Sequence, residues 1–263
     1  MQKGKTVENK NIEIIKKSFT AQASNFDNKN MNFSKQEYLD YTVNCVKFSP
    51  NDIVLDAACG TCACGCAIAG CVKKVVCLDA TQAMLDVGRR KAEERNLTNM
   101  EFVIGEVENL PFENIFDAVI TRLAFHHFPD IEKPFSEMNR VLKNSGKLVI
   151  IDMLAAEEDL REREDEIETM RDPSHVRNIS YNEFKALYDK YGFDIIKKEV
   201  TKIPVSFKAW MDLTKTPDNI KTKIETIMKQ EISGLDKTGF NPYLKKDEIF
   251  FDQRWLMLIG VKK

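Results

Sequence analysis

The run Val54-Leu55-Asp56-Ala57-Ala58-Cys59-Gly60-Thr61, followed by Cys77-Leu78-Asp79, constrains this chain more than anything else in it. It reads as a buried strand, a tight turn containing glycine, a helix, and a second strand ending in a carboxylate. An α/β sheet holds an adenosine-type cofactor with such a unit. The glycine lets backbone approach the ligand, and the carboxylate accepts the two ribose hydroxyls. Asp79 follows the turn at about 20 residues, the length one strand–helix–strand unit requires.

At 263 residues the chain suits one large α/β domain, or one domain with an added lid. A net charge of -2 and a pI near 6.0 give no general electrostatic pull toward nucleic acid. No stretch approaches the roughly 20 apolar residues of a membrane span. Met1 to Lys10 is polar and lacks the apolar core of a secretory signal. The expectation is a cytoplasmic monomer or homodimer with no nucleic-acid or membrane partner. Seven cysteines, most of them between Cys59 and Cys77, are too clustered for a disulfide framework and fit reduced thiols.

Apolar periodicity predicts helices over 11–48, with stripes at Ile14, Ile15, Phe19, Ala23 and Phe26, and at Tyr38, Leu39, Val43 and Val46. Strands are expected at Ile53–Asp56, Val75–Asp79, Phe102–Ile104, Phe116–Thr121 and Leu148–Asp152. Helices fall between them at Cys62–Cys71, Gln82–Arg95 with Thr81 as its cap, and Pro134–Leu142, closed by an Asn144-Ser145-Gly146 turn. This alternation predicts a parallel sheet with helices on both faces, and a ligand site at the carboxyl ends of the strands. Glu157–Thr169 is almost all charge and reads as a solvated helix, or else as a lid. Ser180-Tyr181-Asn182-Glu183 is a capping box opening a helix that stops at Gly192. A strand over Phe193–Val205, helices at Phe207–Leu213 and Asn219–Glu231, and a last strand over Ile249–Val261 that pairs with its predecessor as an antiparallel hairpin at the sheet edge complete a seven-stranded sheet. The divisions expected are a helical cap over 1–48, an α/β core over 49–152, a charged helix and loop over 153–180, and a remainder over 181–263 that completes the sheet.

A dinucleotide fingerprint would need glycine at 58, 60 and 63, but the residues are Ala58, Gly60 and Ala63. No Gly-Lys-Ser/Thr phosphate loop exists either. Val54–Thr61 instead resembles motif I of class I S-adenosylmethionine (SAM) methyltransferases. Cys77-Leu78-Asp79-Ala80 resembles their ribose-binding strand end, and Gly105-Glu106-Val107-Glu108 their adenine-binding segment. Phe116-Asp117-Ala118-Val119 through His126-His127-Phe128, and Glu137 through Gly146, resemble their fourth strand and the helix before the fifth. The chain is similar to the type 11 group, which includes the ubiquinone/menaquinone-biosynthesis methyltransferases.

The resemblance implies the class I fold, a mostly parallel seven-stranded sheet with an antiparallel last strand and helical additions. It also implies SAM as cofactor, S-adenosylhomocysteine as product, and methyl transfer to a small-molecule acceptor. Asp79 would take the ribose hydroxyls, Glu106 the adenine amino group, and Asp56 would lie near the SAM amino group. Ala58, Gly60, Ala80, Met84, Gly105, Val107 and Arg122 would complete the cofactor site, with Phe19 on a helix closing over it. The usual last glycine of motif I is replaced by Cys62, where a positive φ would cost of order 1 kcal/mol.

Histidine works as a base near neutral pH, so His175 and His127 are the catalytic candidates. His126, Arg171 and Arg177 are acceptor-binding candidates, and two arginines suggest an anionic acceptor. Two other functions stay open. One is a metal- or redox-sensing protein on a degenerate SAM fold, motivated by Cys59, Cys62, Cys64 and Cys66; the plainer reading makes these small core residues, with no metal site. The other is an RNA methyltransferase, although Arg122-Leu123-Ala124-Phe125 is not the motif that base-modifying enzymes often carry there.

Overall fold

The computed structural model describes the backbone of residues 2–10 and residues 11–23, 26 and 35–263 in full. The part of the helical expectation that falls on 24–25 and 27–34 lies outside the described residues. On either side stand α1 (Gln2–Gln22) and α2 (Gln36–Val46).

The sheet alternates with helices as the pattern requires: β1 (Ile53–Ala57), α3 (Ala63–Ile68), β2 (Lys74–Asp79), α4 (Gln82–Glu94), β3 (Met100–Ile104), β4 (Phe116–Arg122), α5 (Glu132–Val141) and β5 (Leu142–Met153). There follow α6 (Arg161–Arg171), α7 (Tyr181–Lys190), β6 (Phe193–Ser206), α8 (Phe207–Leu213), α9 (Asp218–Ile232), β7 (Tyr243–Lys245) and β8 (Glu248–Lys262). Strand order is β3-β2-β1-β4-β5-β8-β6, with the short β7 paired onto β8. The first five strands are parallel, and β8 runs antiparallel to both β5 and β6.

Side-chain alternation divides the core between the two faces of the sheet. Leu55, Leu78, Phe116 and Leu256 join one layer with Phe135 and Tyr188. Val54, Val75, Ile120 and Trp255 join the other, with Ile68 and Leu39 from the helices. A smaller cluster around Trp210, Phe240 and Phe251 lies under α8 and α9. Among the described residues no helix is long and apolar enough to cross a membrane.

The expected antiparallel pair of the last strand and its predecessor forms at the end of the sheet, with β8 on the inside, between β5 and β6, and β6 outermost. Trp255–Gly260 is buried without interruption and needs neighbours on both sides, whereas β6 alternates buried and exposed residues and puts Lys198 and Lys202 on the open edge. β5 starts at Leu142, and the Asn144-Ser145-Gly146 turn becomes an irregularity within it, with Ser145 at φ 60° and the register to β4 shifting between Phe116 and Ala118. Thr81 precedes α4, but its hydroxyl makes no capping bond.

The charged helix is not simply solvated either. Glu164, Ile167, Glu168 and Arg171 of α6 are buried, because Arg254 reaches Glu164 and Arg171 pairs with Glu168 at 2.9 Å. The capping box forms as read, with Ser180 and Glu183 exchanging hydrogen bonds.

Candidate active site

Strand order reverses between the parallel neighbours β1 and β4, which opens a crevice at their carboxyl ends. A pocket of about 980 Å³, open mouth included, occupies that crevice.

Its floor is the turn after β1. Ala58, Gly60 and Cys62 stand at φ 53°, 52° and 57°, a left-handed conformation at alternate residues. Only glycine adopts it without a β-carbon penalty, so Cys62 carries the strain that motif I would ordinarily avoid. Backbone bonds hold the turn: Cys59 N–H donates to the Leu78 carbonyl at 3.0 Å, and Cys62 N–H to the Cys59 carbonyl at 2.9 Å.

Asp79 ties this turn to the second strand. One carboxylate oxygen accepts from Gly60 N–H at 2.9 Å and the other from Thr81 N–H at 2.8 Å. A carboxylate has about four lone-pair sites, so two remain for a ligand's vicinal hydroxyls. Burial pushes the Asp79 carboxyl up to about 6, despite those two donors. Asp56 accepts from Gly65 N–H at 2.8 Å, and burial lifts its carboxyl well above the usual range. A cation placed beside either acid would favour the ionised form.

Arg122, at the end of β4, lays its guanidinium over the Trp255 ring at 5.0 Å. Its Nη2 is buried without a hydrogen-bond partner among the described residues. An orphaned cationic donor costs about 1–3 kcal/mol and calls for an anionic group.

The donor set therefore fits SAM end to end. Asp79 suits the ribose, Arg122 the carboxylate and Asp56 the ammonium. Gly105, Glu106 and Val107 form the wall beyond β3, where an adenine would lie. Glu106 pairs with Lys16 at 2.9 Å, which draws α1 across that wall. Ile12, Ile15, Phe19 and Phe26 supply an apolar roof.

Of the residues read from the sequence as cofactor contacts, Asp56, Ala58, Gly60, Asp79, Ala80, Gly105, Glu106, Val107, Arg122 and Phe19 all line this pocket. Met84 is fully buried in the core and is not on the lining.

Only one of the three histidines faces the pocket. His127 lines it, while His126 and His175 stand behind, with ring centroids 4.1 Å from His126 to His127 and 5.6 Å from His126 to His175. His126 Nδ1 meets Asp152 Oδ1 at 2.6 Å. Burial opposes its charge, but Asp152 outweighs burial and the pKa of His126 rises. His127 behaves oppositely. Burial, then the neighbouring His126, push it down to about 3, so the ring is neutral. Its Nδ1 lies 2.9 Å from the Ser174 carbonyl, which can only accept, so Nδ1 carries the proton and Nε2 presents a lone pair.

His175 donates through Nε2 to Asp165 at 2.9 Å, and its buried Nδ1 has no partner among the described residues. Arg171 pairs with Glu168 and covers the Trp210 ring at 4.8 Å, and Arg177 pairs with Glu183 at 2.6 Å. Neither arginine is on the pocket lining.

Sequence reasoning passed over Leu123 and Phe128 on the lining, and Asn11, whose side-chain amide donates to the His127 carbonyl at 3.0 Å. Asp152 was visible only as one more carboxylate at a strand end.

A methyltransferase-domain family model matches residues 48–203. The uncharacterised methyltransferase YcgJ of Bacillus subtilis is 31% identical over 198 residues, 74% of this chain and 78% of its own length. Its crystal structure superposes with a TM-score of 0.78 over 87% of this chain and 99% of that one, at 28% identity. A demethylmenaquinone methyltransferase of Bacillus cereus is 28% identical over 206 residues, 77% of each chain. Strand order, the pocket's donors and these likenesses agree: the chain belongs to the methyltransferase-domain family and is a SAM-dependent methyltransferase of the class I fold.

Proposed function

We propose that this enzyme methylates a small, largely apolar molecule through a hydroxyl or amine held by His127. The observation that carries this reading is the neutral His127 ring, with its Nδ1 engaged by the Ser174 carbonyl, on the lining of a pocket that Ile12, Ile15, Phe19 and Phe26 also line. With Arg171 and Arg177 committed to Glu168 and Glu183, the reading does not need an anionic acceptor. A demethylmenaquinone methyltransferase among the relatives agrees with an apolar acceptor.

SAM supplies an electrophilic methyl group with its own leaving group, so the protein's share is binding, orientation and exclusion of water. Asp79, Arg122 and Asp56 hold the cofactor, and α1 covers it. Basicity decides the part played by His127. Taking a proton from a phenol-like group near pKa 10 onto a ring at about 3 costs roughly 9 kcal/mol, so the ring does not ionise the acceptor beforehand. His127 orients the acceptor by accepting its hydrogen bond. The proton moves late, once the forming bond has made it strongly acidic. His126 and Asp152 are positioning residues that fix the ring from behind.

Titration calorimetry with S-adenosylhomocysteine tests the cofactor half, and incubation of metabolite extracts with methyl-labelled SAM tests the acceptor half. No binding at millimolar ligand, or binding indifferent to Asp79→Ala, would sink the cofactor assignment. Labelling of RNA rather than of small apolar compounds would sink the acceptor assignment.

A further inference from the structure

The sequence groups Cys59 and Cys62 with Cys64 and Cys66, but the fold selects a different third partner. Cys59, Cys62 and Cys77 bring their sulfurs within 4.8 Å of one another, with Cys59 and Cys62 at 3.5 Å. Cys77 arrives through strand pairing, since it lies beside Asp56 in the β1–β2 register, directly below the turn. Thiolate ligands on a metal at about 2.3 Å stand about 3.8–4.0 Å apart, a separation these limits bracket.

The surrounding packing is shaped to the sulfurs. A β-carbon at Gly65 in α3 would fall 2.6 Å from the Cys77 sulfur, and one at Gly88 in α4 would fall 2.3 Å from the Cys62 sulfur. Each helix thus gives up the better helix propensity of alanine where a sulfur sits. Cys62 and Cys77 are fully buried, Cys59 opens onto the pocket, and none of the seven cysteines forms a disulfide.

We propose that Cys59, Cys62 and Cys77 form a three-thiolate site for a soft, thiophilic cation beneath the cofactor-binding turn. The donor set argues for such an ion. Three sulfurs with no carboxylate or imidazole among them exclude hard cations and favour ions of the Cu(I) or Cd(II) type. Binding replaces three S–H bonds by three metal–sulfur bonds and releases three protons to solvent. No oxidant is required. The site joins the turn to β2 independently of the methyl-transfer reading, and its test needs no acceptor.

The reduced full-length protein is titrated anaerobically with Cd(II), following the ultraviolet thiolate-to-metal absorption and proton release with a pH indicator. The expected result is saturation at one equivalent with three protons released. Cys62→Gly, chosen because φ 57° suits glycine, should weaken Cd(II) binding of order 100-fold while circular dichroism is unchanged. Cys59→Ala should do the same from the half-exposed side. A Cys45→Ser/Cys71→Ser variant should bind as the parent does. Uptake that persists in Cys62→Gly and Cys59→Ala, or that disappears with Cys45 and Cys71, overturns the proposal.

Discussion

Gly88→Ala is an ordinary helix-stabilising change that should fail in this protein, for a reason traceable to one atom. Alanine inside α4 is worth about 1 kcal/mol over glycine. Its β-carbon, however, would stand 2.3 Å from the Cys62 sulfur and 2.9 Å from the Cys62 β-carbon. Ordinary contact is about 3.5–4.0 Å, so the helix or the turn must move by about 1 Å. Overpacking of that kind costs about 1–3 kcal/mol, which cancels the gain or leaves a net loss of up to about 2 kcal/mol. Removing the obstruction reverses the sign. With Cys62→Gly in place the nearest remaining atom is the Thr61 carbonyl carbon at 3.4 Å, and the helix preference can show as a gain of up to about 1 kcal/mol. Cys62→Gly alone should be near neutral, since relief of strain at φ 57° offsets the lost burial of a small side chain. The coupling between the two sites should therefore equal the overpacking cost, about 1–3 kcal/mol. Urea unfolding of the four proteins measures it, with parallel melts in which each kcal/mol moves Tm by about 2–4 °C. A coupling under about 0.5 kcal/mol, the noise level for independent sites, would refute the claim that Cys62 meets α4 through Gly88.

Asp79→Asn should weaken S-adenosylhomocysteine binding by about 100-fold or more in calorimetry, because two charge-assisted hydrogen bonds worth about 1.5–3 kcal/mol each lose their charge; a change under about threefold would remove Asp79 from the site. The same affinity should fall as pH drops below about 6, at up to tenfold per unit, since the ligand prefers the carboxylate that protonation removes. The stability sign is opposite: a raised carboxyl pKa means the empty folded protein holds the proton longer, so this group's contribution declines as pH rises from about 4 to 6. Arg122→Met should lower cofactor affinity while leaving stability within about 1 kcal/mol, because the lost guanidinium has a buried nitrogen without a partner among the described residues. His127→Ala should reduce kcat by about 100-fold with cofactor affinity held within twofold; an equal fall in both would make it a packing residue.

How much of the fold was legible depended on whether local pattern or tertiary neighbours decided each element. The strands β1, β2 and β4 announce themselves because a strand covered on both faces is a continuous apolar run, and no other short element needs one. α7 announces itself because Ser180 and Glu183 satisfy each other's backbone donors without outside help. The place of β8 was not local in this sense. Its apolar run is compatible with an edge or an interior strand, and what moved it inward was the lysine-studded alternation of β6, a property of another segment. α6 misled for the opposite reason. Its carboxylates look solvated until Arg254, far along the chain on β8, is seen to meet Glu164.

The site divides along the same line. Asp79 and Gly60 could be read because their work is done across one strand–turn–strand unit, where sequence spacing is distance. His127 and Cys77 could not be ranked, since their neighbours come from elsewhere. The tautomer of His127 is set by the Ser174 carbonyl, and its low basicity by burial beside His126, whose charge Asp152 sustains. His175 resembles a better base in the sequence, yet it spends Nε2 on Asp165 inside the fold. Cys77 differs from Cys64 and Cys66 only by lying on β2 in register with Asp56, which carries it under the turn. A cysteine two or four residues from Cys62 along the chain is therefore farther, in the sense that matters for a shared ion, than one on the adjacent strand. The strained φ of Cys62 follows the same logic: the turn is imposed by the Gly60–Asp79 and Cys59–Leu78 bonds on either side, whatever side chain position 62 carries. Cys62→Ala should therefore keep the turn and the cofactor affinity within about twofold while weakening Cd(II) binding of order 100-fold. Loss of both together would mean that the thiol itself holds the turn in place.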